Sequence, residues 1–228
     1  MKTYVAHYSP LTERRLHVQK TLDDANISNI EWITEEPTEH FLSFYANSAN
    51  VWDYRNNLVG YPERIPFRQL SKAEISLLFK HYLILKKIAG SEDQYGLVLE
   101  DDAMLDESFL EKLDKSVKEL CGVTKTPSGA WDFIYIGSGC NLRIDPERVT
   151  HDKTAYCKSH PASKCTDSFL VTKKAARQIL KTIFPYCFPA DFELNYQMYV
   201  HSMLVYWLEP PLVMQGSQTG LYRSRIQS

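Results

Sequence analysis

The stretch Tyr95-Gly96-Leu97-Val98-Leu99-Glu100-Asp101-Asp102-Ala103 constrains this chain more than any other, because an apolar run ends directly on three consecutive carboxylates. A short apolar run of this kind, opened by a glycine and closed by charge, reads as a buried strand. Three adjacent negative charges at its end repel one another and are partly desolvated. Two arrangements relieve that repulsion: the acids open a solvated loop, or they hold a divalent cation. Hard cations such as Mg2+ and Mn2+ favour carboxylate oxygens and take phosphate oxygens as further ligands. Open α/β sheets also bind ligands beyond the carboxyl ends of their strands.

The remaining chain alternates short β-rich runs with amphipathic helices, which predicts an α/β fold. Strands are expected at Thr3–His7, Ile30–Ile33, Gly96–Leu99, Phe133–Ile136, Ser168–Val171 and Val205–Leu208. The first helix takes Ser9 as N-cap and Pro10 as its first residue, with Leu11, Val18, Leu22 and Ala25 along one face. Ser71-Lys72-Ala73-Glu74 is a capping box that opens a helix ending near Gly90, with Ile75, Leu78, Phe79, Tyr82 and Leu83 inward. Asp106 is expected to cap a helix faced by Phe109, Leu110, Leu113, Val117 and Leu120, and Thr172 one faced by Ala175, Ala176, Ile179 and Ile183. A last helix follows Pro189. At 228 residues and 44% hydrophobic, the chain suits one domain over 1–228, with no repeat or linker.

Residues 35–70 break the alternation. They hold Pro37, Pro62 and Pro66 among Phe41, Phe44, Tyr45, Trp52, Tyr54 and Tyr61. This is a loop-rich insert, and two readings fit it: a lining for the donor or acceptor pocket, or a flap whose aromatics pack on the core.

A formal charge of −2, from 26 Lys and Arg against 28 Asp and Glu, carries no basic surplus for nucleic acid or an anionic membrane. The opening MKTYVAHYSP lacks the apolar run of a secretory signal, and no stretch is long and apolar enough to span a bilayer. Both point to the cytoplasm. The five cysteines are odd in number and lack framework spacing. His151, Cys157, His160 and Cys165 contain neither C-x-x-C nor H-x-x-x-H, so they read as loosely placed reduced thiols and side chains, not a zinc site.

Several segments in order resemble glycosyltransferase family 25, which includes lipopolysaccharide and collagen hydroxylysine galactosyltransferases. They are Leu70-Ser71-Lys72-Ala73-Glu74-Ile75, then His81, then Leu97 to Ala103 with its Leu-Glu-Asp-Asp core. Val5 with Arg14, Ser168-Phe169-Leu170-Val171-Thr172-Lys173-Lys174-Ala175-Ala176, and Pro189-Ala190-Asp191 extend the resemblance over nearly the whole chain. His7 and Tyr8 stand where the family usually shows Asn-Leu, Ala73 where it shows glycine, and Lys80 where it shows serine. The resemblance implies a GT-A-type domain with a mixed, mostly parallel central sheet flanked by helices. It also implies transfer of a hexose from a UDP-sugar, galactose before glucose, to a hydroxyl on a glycan, lipid-linked glycan or hydroxylated protein. Mn2+ or Mg2+ would neutralise the diphosphate leaving group. The expected metal ligands are Asp101 and Asp102, and the expected donor contacts are Tyr8, Arg14, Glu74, His81, Glu100 and Asp101. Glu74 also has its capping role, and His81 also fits a core-edge histidine.

An inverting transfer needs a carboxylate to take the acceptor's proton. Asp191 is the first choice and Asp167 the reserve, although Asp191 after Pro189 also suits a helix N-cap, and Glu193 stands close enough to substitute. The polar tail from Gln215 to Arg225 is expected either to fold over the diphosphate, with Arg223 or Arg225 pairing to it, or to fray. Two rivals remain: a metal-dependent phospho- or nucleotidyltransferase, weakened by the lack of a G-x-x-x-x-G-K loop, and a carbohydrate-binding module built on the aromatics at 41–61.

Overall fold

The computed structural model describes residues 1–46, 49–56, 67–122 and 130–222. Its layers follow from central strands that bury apolar side chains on both faces. In β1 (Lys2–Ala6), Tyr4 and Ala6 face one side and Val5 the other. The same split recurs in β3 (Tyr95–Glu100) with Val98 against Leu97 and Leu99, and in β5 (Phe133–Tyr135) with Phe133 and Tyr135 against Ile134. It recurs again in β7 (Ser168–Thr172), with Phe169 and Val171 against Leu170. Successive strand residues point to opposite faces, so such strands need cover on both. On one face α4 (Lys72–Gly90) and α6 (Lys173–Thr182) supply Ile84, Ile88, Ala176 and Ile179. On the other, α1 (Thr12–Asp24) and α5 (Phe109–Cys121) supply Val18, Leu22, Phe109 and Leu113. Each large side chain buried this way contributes roughly 1.5–3 kcal/mol.

With β2 (Ile30–Ile33), β6 (Ala155–Cys157) and β8 (Val205–Leu208), the sheet has seven strands in the order β2-β1-β3-β7-β5-β8-β6. β1 is parallel to β2 and β3, and β5 to β8, while β7 and β6 run against their neighbours. Five strands therefore share one direction, the mixed and mostly parallel α/β arrangement that the resemblance implies. As a result the carboxyl ends of β1, β3 and β5 and the start of β7 meet along one edge.

The capping box holds. Ser71 Oγ accepts from the Glu74 amide at 3.3 Å, and Glu74 Oε2 accepts from the Ser71 amide at 2.8 Å. Thr172 likewise caps α6. Other ends differ from expectation. Ser9 and Pro10 form a turn, Leu11 is the N-cap of α1, and the helix starts at Thr12. The N-cap of α5 is Ser108; Asp106 instead accepts from the Ser108 amide, closing the turn before it. Leu110, expected inward, is exposed. Val205–Leu208 is not the last strand, since β9 (Val213–Gln215) follows and pairs antiparallel with β4 (Ala103–Leu105).

The insert contains two helices, α2 (Glu39–Leu42) and α3 (Ala49–Asn56). Its aromatics join the core: Phe41 stacks on Tyr186 with ring centres 4.6 Å apart, and Trp52 meets Phe188 edge-on at 4.8 Å. Tyr61, Pro62, Pro66 and the Tyr54 side chain lie outside the described residues. No helix among the described residues is long and apolar enough to cross a membrane.

Candidate active site

The shared strand edge opens into a cavity of about 590 Å3. Glu100 from β3, Cys140 from the turn after β5, Cys165 and Thr166 from the approach to β7, and Asp191 from α7 (Ala190–Val200) all line it. Arg68 and Glu74 close one side, while Gln215, Ser217 and Gln218 reach it from the far end of the chain.

The three consecutive acids have three different environments. Glu100 Oε1 accepts from the Thr166 hydroxyl at 2.5 Å and faces His81 Nε2 at 3.4 Å. His81 is buried in α4 and reaches the cavity only through Glu100. Asp101 turns away, toward the end of β1. Its Oδ2 accepts from His7 Nδ1 at 2.9 Å and the Tyr8 amide at 3.1 Å, and its Oδ1 from Arg14 at 2.9 Å. Burial alone would raise this carboxyl, but His7, Arg14 and Tyr8 hold it below the usual carboxylate range. Parallel pairing explains the contact, because the register Ala6↔Glu100 sets the residues after each strand side by side.

Asp102 is the least satisfied of the three. Its Oδ2 accepts from the Ser217 amide at 3.1 Å, and its Oδ1 is buried without a hydrogen bond. Burial, and then the charge of Glu100, push its pKa up. A buried oxygen of this kind fits a cation ligand, since hard cations take carboxylate oxygens. Both Asp101 oxygens are already engaged, so a cation there would compete with Arg14. Among the described residues no three His, Cys, Asp or Glu side chains are arranged as a metal cluster. Any bound cation would take most of its ligands from phosphate and water.

Asp191 lines the cavity but is not the N-cap of α7. That position is Pro189, and Asp191 is the second helical residue, with Oδ1 accepting from the Phe192 amide at 3.0 Å. The first turn of a helix favours a carboxylate electrostatically. Glu193 cannot substitute for it. Its side chain is fully buried and receives the Arg55 guanidinium at 2.6 Å and Gln197 at 3.0 Å.

Asp167 is buried beneath the cavity. Its Oδ2 is 3.4 Å from both the Gly139 amide and the Ser168 hydroxyl, and its Oδ1 has no hydrogen bond. Burial, and then the charge of Glu100, push its pKa up to about 8. A carboxyl that is already protonated near neutrality and walled off from the cavity is poorly placed to take a proton. Gly137 makes room for it, because a Cβ there would come within 1.9 Å of Asp167 Oδ2.

Glu74 faces the cavity and is gripped by Arg68, whose Nη1 lies 2.8 Å from Oε2. Burial would raise it, but Arg68 and Ser71 hold it low. Tyr8 contributes only its amide, since its side chain is exposed. Arg223 and Arg225 lie outside the described residues. The described part of the tail does return to the acids. The Gly216 amide donates to the Asp102 carbonyl at 2.8 Å, and the Tyr222 ring lies 5.1 Å from the Arg14 guanidinium.

Sequence reasoning missed Thr166, Cys140 and Cys165, and reached Ser217 only as part of a tail expected to fold over the diphosphate or to fray. Thr166 and Cys165 do precede an expected strand, where loop residues meet a sheet edge, but nothing near Ser217 in the sequence marks its contact with Asp102.

The family model of glycosyltransferase family 25 (LPS biosynthesis protein) matches residues 1–194. No curated protein sequence matches the chain. Among solved structures, S. aureus TarS 1-349 overlaps it at 16% identity and TM-score 0.48, over 97% of this chain and 62% of that one. The same TarS fragment in complex with UDP-GlcNAc gives 16% and 0.47, over 94% and 58%. A longer TarS chain gives 15% and 0.49, over 94% and 36%. With the motif segments, the strand-end acids and the family match all in one chain, the protein belongs to glycosyltransferase family 25.

Proposed function

We propose that the chain transfers a hexose from a UDP-sugar, galactose before glucose, to an acceptor hydroxyl with inversion, assisted by Mn2+ or Mg2+. One observation carries this reading: Glu100 of the strand-end acids, Asp191 and the returning tail all line a single cavity. Asp102 Oδ1 would hold the cation, whose chemistry is to neutralise the diphosphate as it leaves. Arg14 holds Asp101 and packs against the Tyr222 ring, tying the tail to the acid next to Asp102. Glu100, held by Thr166, is placed to accept hydrogen bonds from sugar hydroxyls. Asp191, which lines the same cavity, takes the proton from the attacking acceptor hydroxyl. Arg68, half-exposed beside Glu74, marks the side from which the acceptor enters. The acceptor is a hydroxyl of a glycan, a lipid-linked glycan or a hydroxylated protein. The reaction belongs in the cytoplasm, where free thiols such as the five here stay reduced.

The test is UDP release from a panel of UDP-galactose, UDP-glucose and UDP-GlcNAc, with Mn2+ and with EDTA. Slow metal-dependent release from one of them is expected. Equal release in EDTA removes the cation from the proposal, and no release from any donor removes the UDP-sugar.

A further inference from the structure

Two thiols meet in the wall of the cavity, and the transfer reaction uses neither. Cys140 belongs to a short 3-10 turn at Gly139–Asn141, and Cys165 to the loop ahead of β7. The residues just before them pack tightly, since a Cβ on Gly139 would come within 2.2 Å of the Lys164 carbonyl oxygen, and both cysteines line the cavity beside Glu100 and Asp191. Both backbones are left-handed, with φ of 49° at Cys140 and 57° at Cys165. Non-glycine residues adopt that conformation seldom, and it persists where the surroundings over-determine it. Cys140 is exposed, whereas Cys165 is partly covered.

We propose that Cys140 and Cys165 form a peroxide-sensitive dithiol, and that its closure to a disulfide shuts the cavity to the nucleotide sugar. The gating half rests on the UDP-sugar reading above; the dithiol half does not. Reactive cysteines need access and a stabilised thiolate. Cys140 has both, since it is exposed and the neighbouring Cys165 thiol brings its pKa down to about 7. The Cys140 thiolate attacks one oxygen of hydrogen peroxide; the O–O bond breaks, and the departing hydroxide leaves as water. The Cys165 sulfur then displaces the hydroxyl from the resulting sulfenic acid, releasing a second water. Two thiols and one peroxide thus give one disulfide and two waters, with sulfur oxidised and peroxide reduced.

The bond would act on the site through its neighbours. Thr166, next to Cys165, holds Glu100 at 2.5 Å, and Gly139, next to Cys140, donates to Asp167. Tying 140 to 165 moves both holds and narrows the wall between Glu100 and Asp191.

The experiment treats the full chain with hydrogen peroxide, blocks remaining thiols with N-ethylmaleimide, and searches a digest for a Cys140–Cys165 linked peptide. In parallel, UDP binding with Mn2+ is titrated before and after oxidation and again after dithiothreitol. The linked peptide is expected, with UDP affinity falling about tenfold or more and recovering on reduction. Cys140→Ser and Cys165→Ser should each lose the linked peptide and the peroxide response. Peroxide that leaves Cys140 as an unlinked sulfenic or sulfinic acid overturns the dithiol. A linked peptide with unchanged UDP affinity overturns the gating. Reduced protein that binds no UDP sinks the nucleotide-sugar reading and the gating with it, while the peptide still decides the dithiol.

Discussion

The Arg14 guanidinium donates to Asp101 Oδ1 across 2.9 Å, tying the first turn of α1 to the middle acid of the triplet. Both side chains are about nine-tenths buried, at 12% and 10% exposure. Removing one member of such a pair leaves an uncompensated charge and costs roughly 3–5 kcal/mol. Arg14→Ala should therefore lower the denaturation midpoint strongly. The acid dependence should change as well. The Asp101 pKa is lowered by folding, so its contribution is present above its ordinary value and is lost as pH falls through the folded one. Arg14→Ala should flatten that acid limb in urea titrations. An unchanged limb would remove the pair from the stability account.

Asp167 predicts the opposite slope. Its folded pKa is raised to about 8 from an ordinary 3.8, so the native state keeps a proton that the unfolded state releases. Stability from this group is present below its ordinary value and declines as pH rises toward about 8. Asp167→Asn keeps the volume and removes the titration. Its stability between pH 5 and pH 8, roughly the window set by the shift, should be flatter than that of the unaltered chain. Parallel curves would show that the carboxyl is ionised in the folded protein.

Asp102→Ala should abolish Mn2+-dependent UDP release, because it removes the buried Oδ1 that has no hydrogen bond. Folding should survive, since the Gly216 amide bonds to the Asp102 backbone and not to its side chain. Circular dichroism with a donor-turnover assay separates the two. Retained metal-dependent turnover would move the cation elsewhere.

Asp191 and Glu193 are two residues apart on α7 and should fail in different ways. Asp191→Asn keeps an acceptor for the Phe192 amide while removing basicity, so transfer should fall roughly a hundredfold at unchanged melting temperature. Glu193→Gln should instead weaken the buried contact with Arg55 and lower the melting temperature. Measuring both quantities on both variants decides the roles, and the reverse pattern would exchange them.

How far the sequence could be read depended on the range of the contacts involved. β1, β3, α4 and α6 were legible because local patterns specify them: apolar runs, the Ser71–Glu74 box and the Thr172 cap. β4 and β9 were not, since each is three residues long and depends on partners distant in sequence, β4 on β9 and β9 on both β4 and Gly137. The aromatics of the insert show composition but not direction, so whether Phe41 lined a pocket or packed on Tyr186 depended on tertiary contacts. Within the site, the acid triplet was legible as a unit, but its division was not. Only the parallel register of β1 and β3 shows that Asp101 turns to His7 and Arg14 while Asp102 turns to the tail. Asp191 lines the cavity, but it is not the helix cap expected of it, because Pro189 occupies that position.

The β4–β9 pairing has a practical consequence for anyone dissecting this chain. The family model ends at residue 194, yet the amides that hold Asp102 belong to Gly216 and Ser217. A fragment cut at that boundary would keep every acid of the triplet. It would lack β8, the parallel partner of β5, and the ribbon that folds the chain's final turn back onto the acids. The stretch of chain that holds the acids in place is therefore longer than the region that identifies the family.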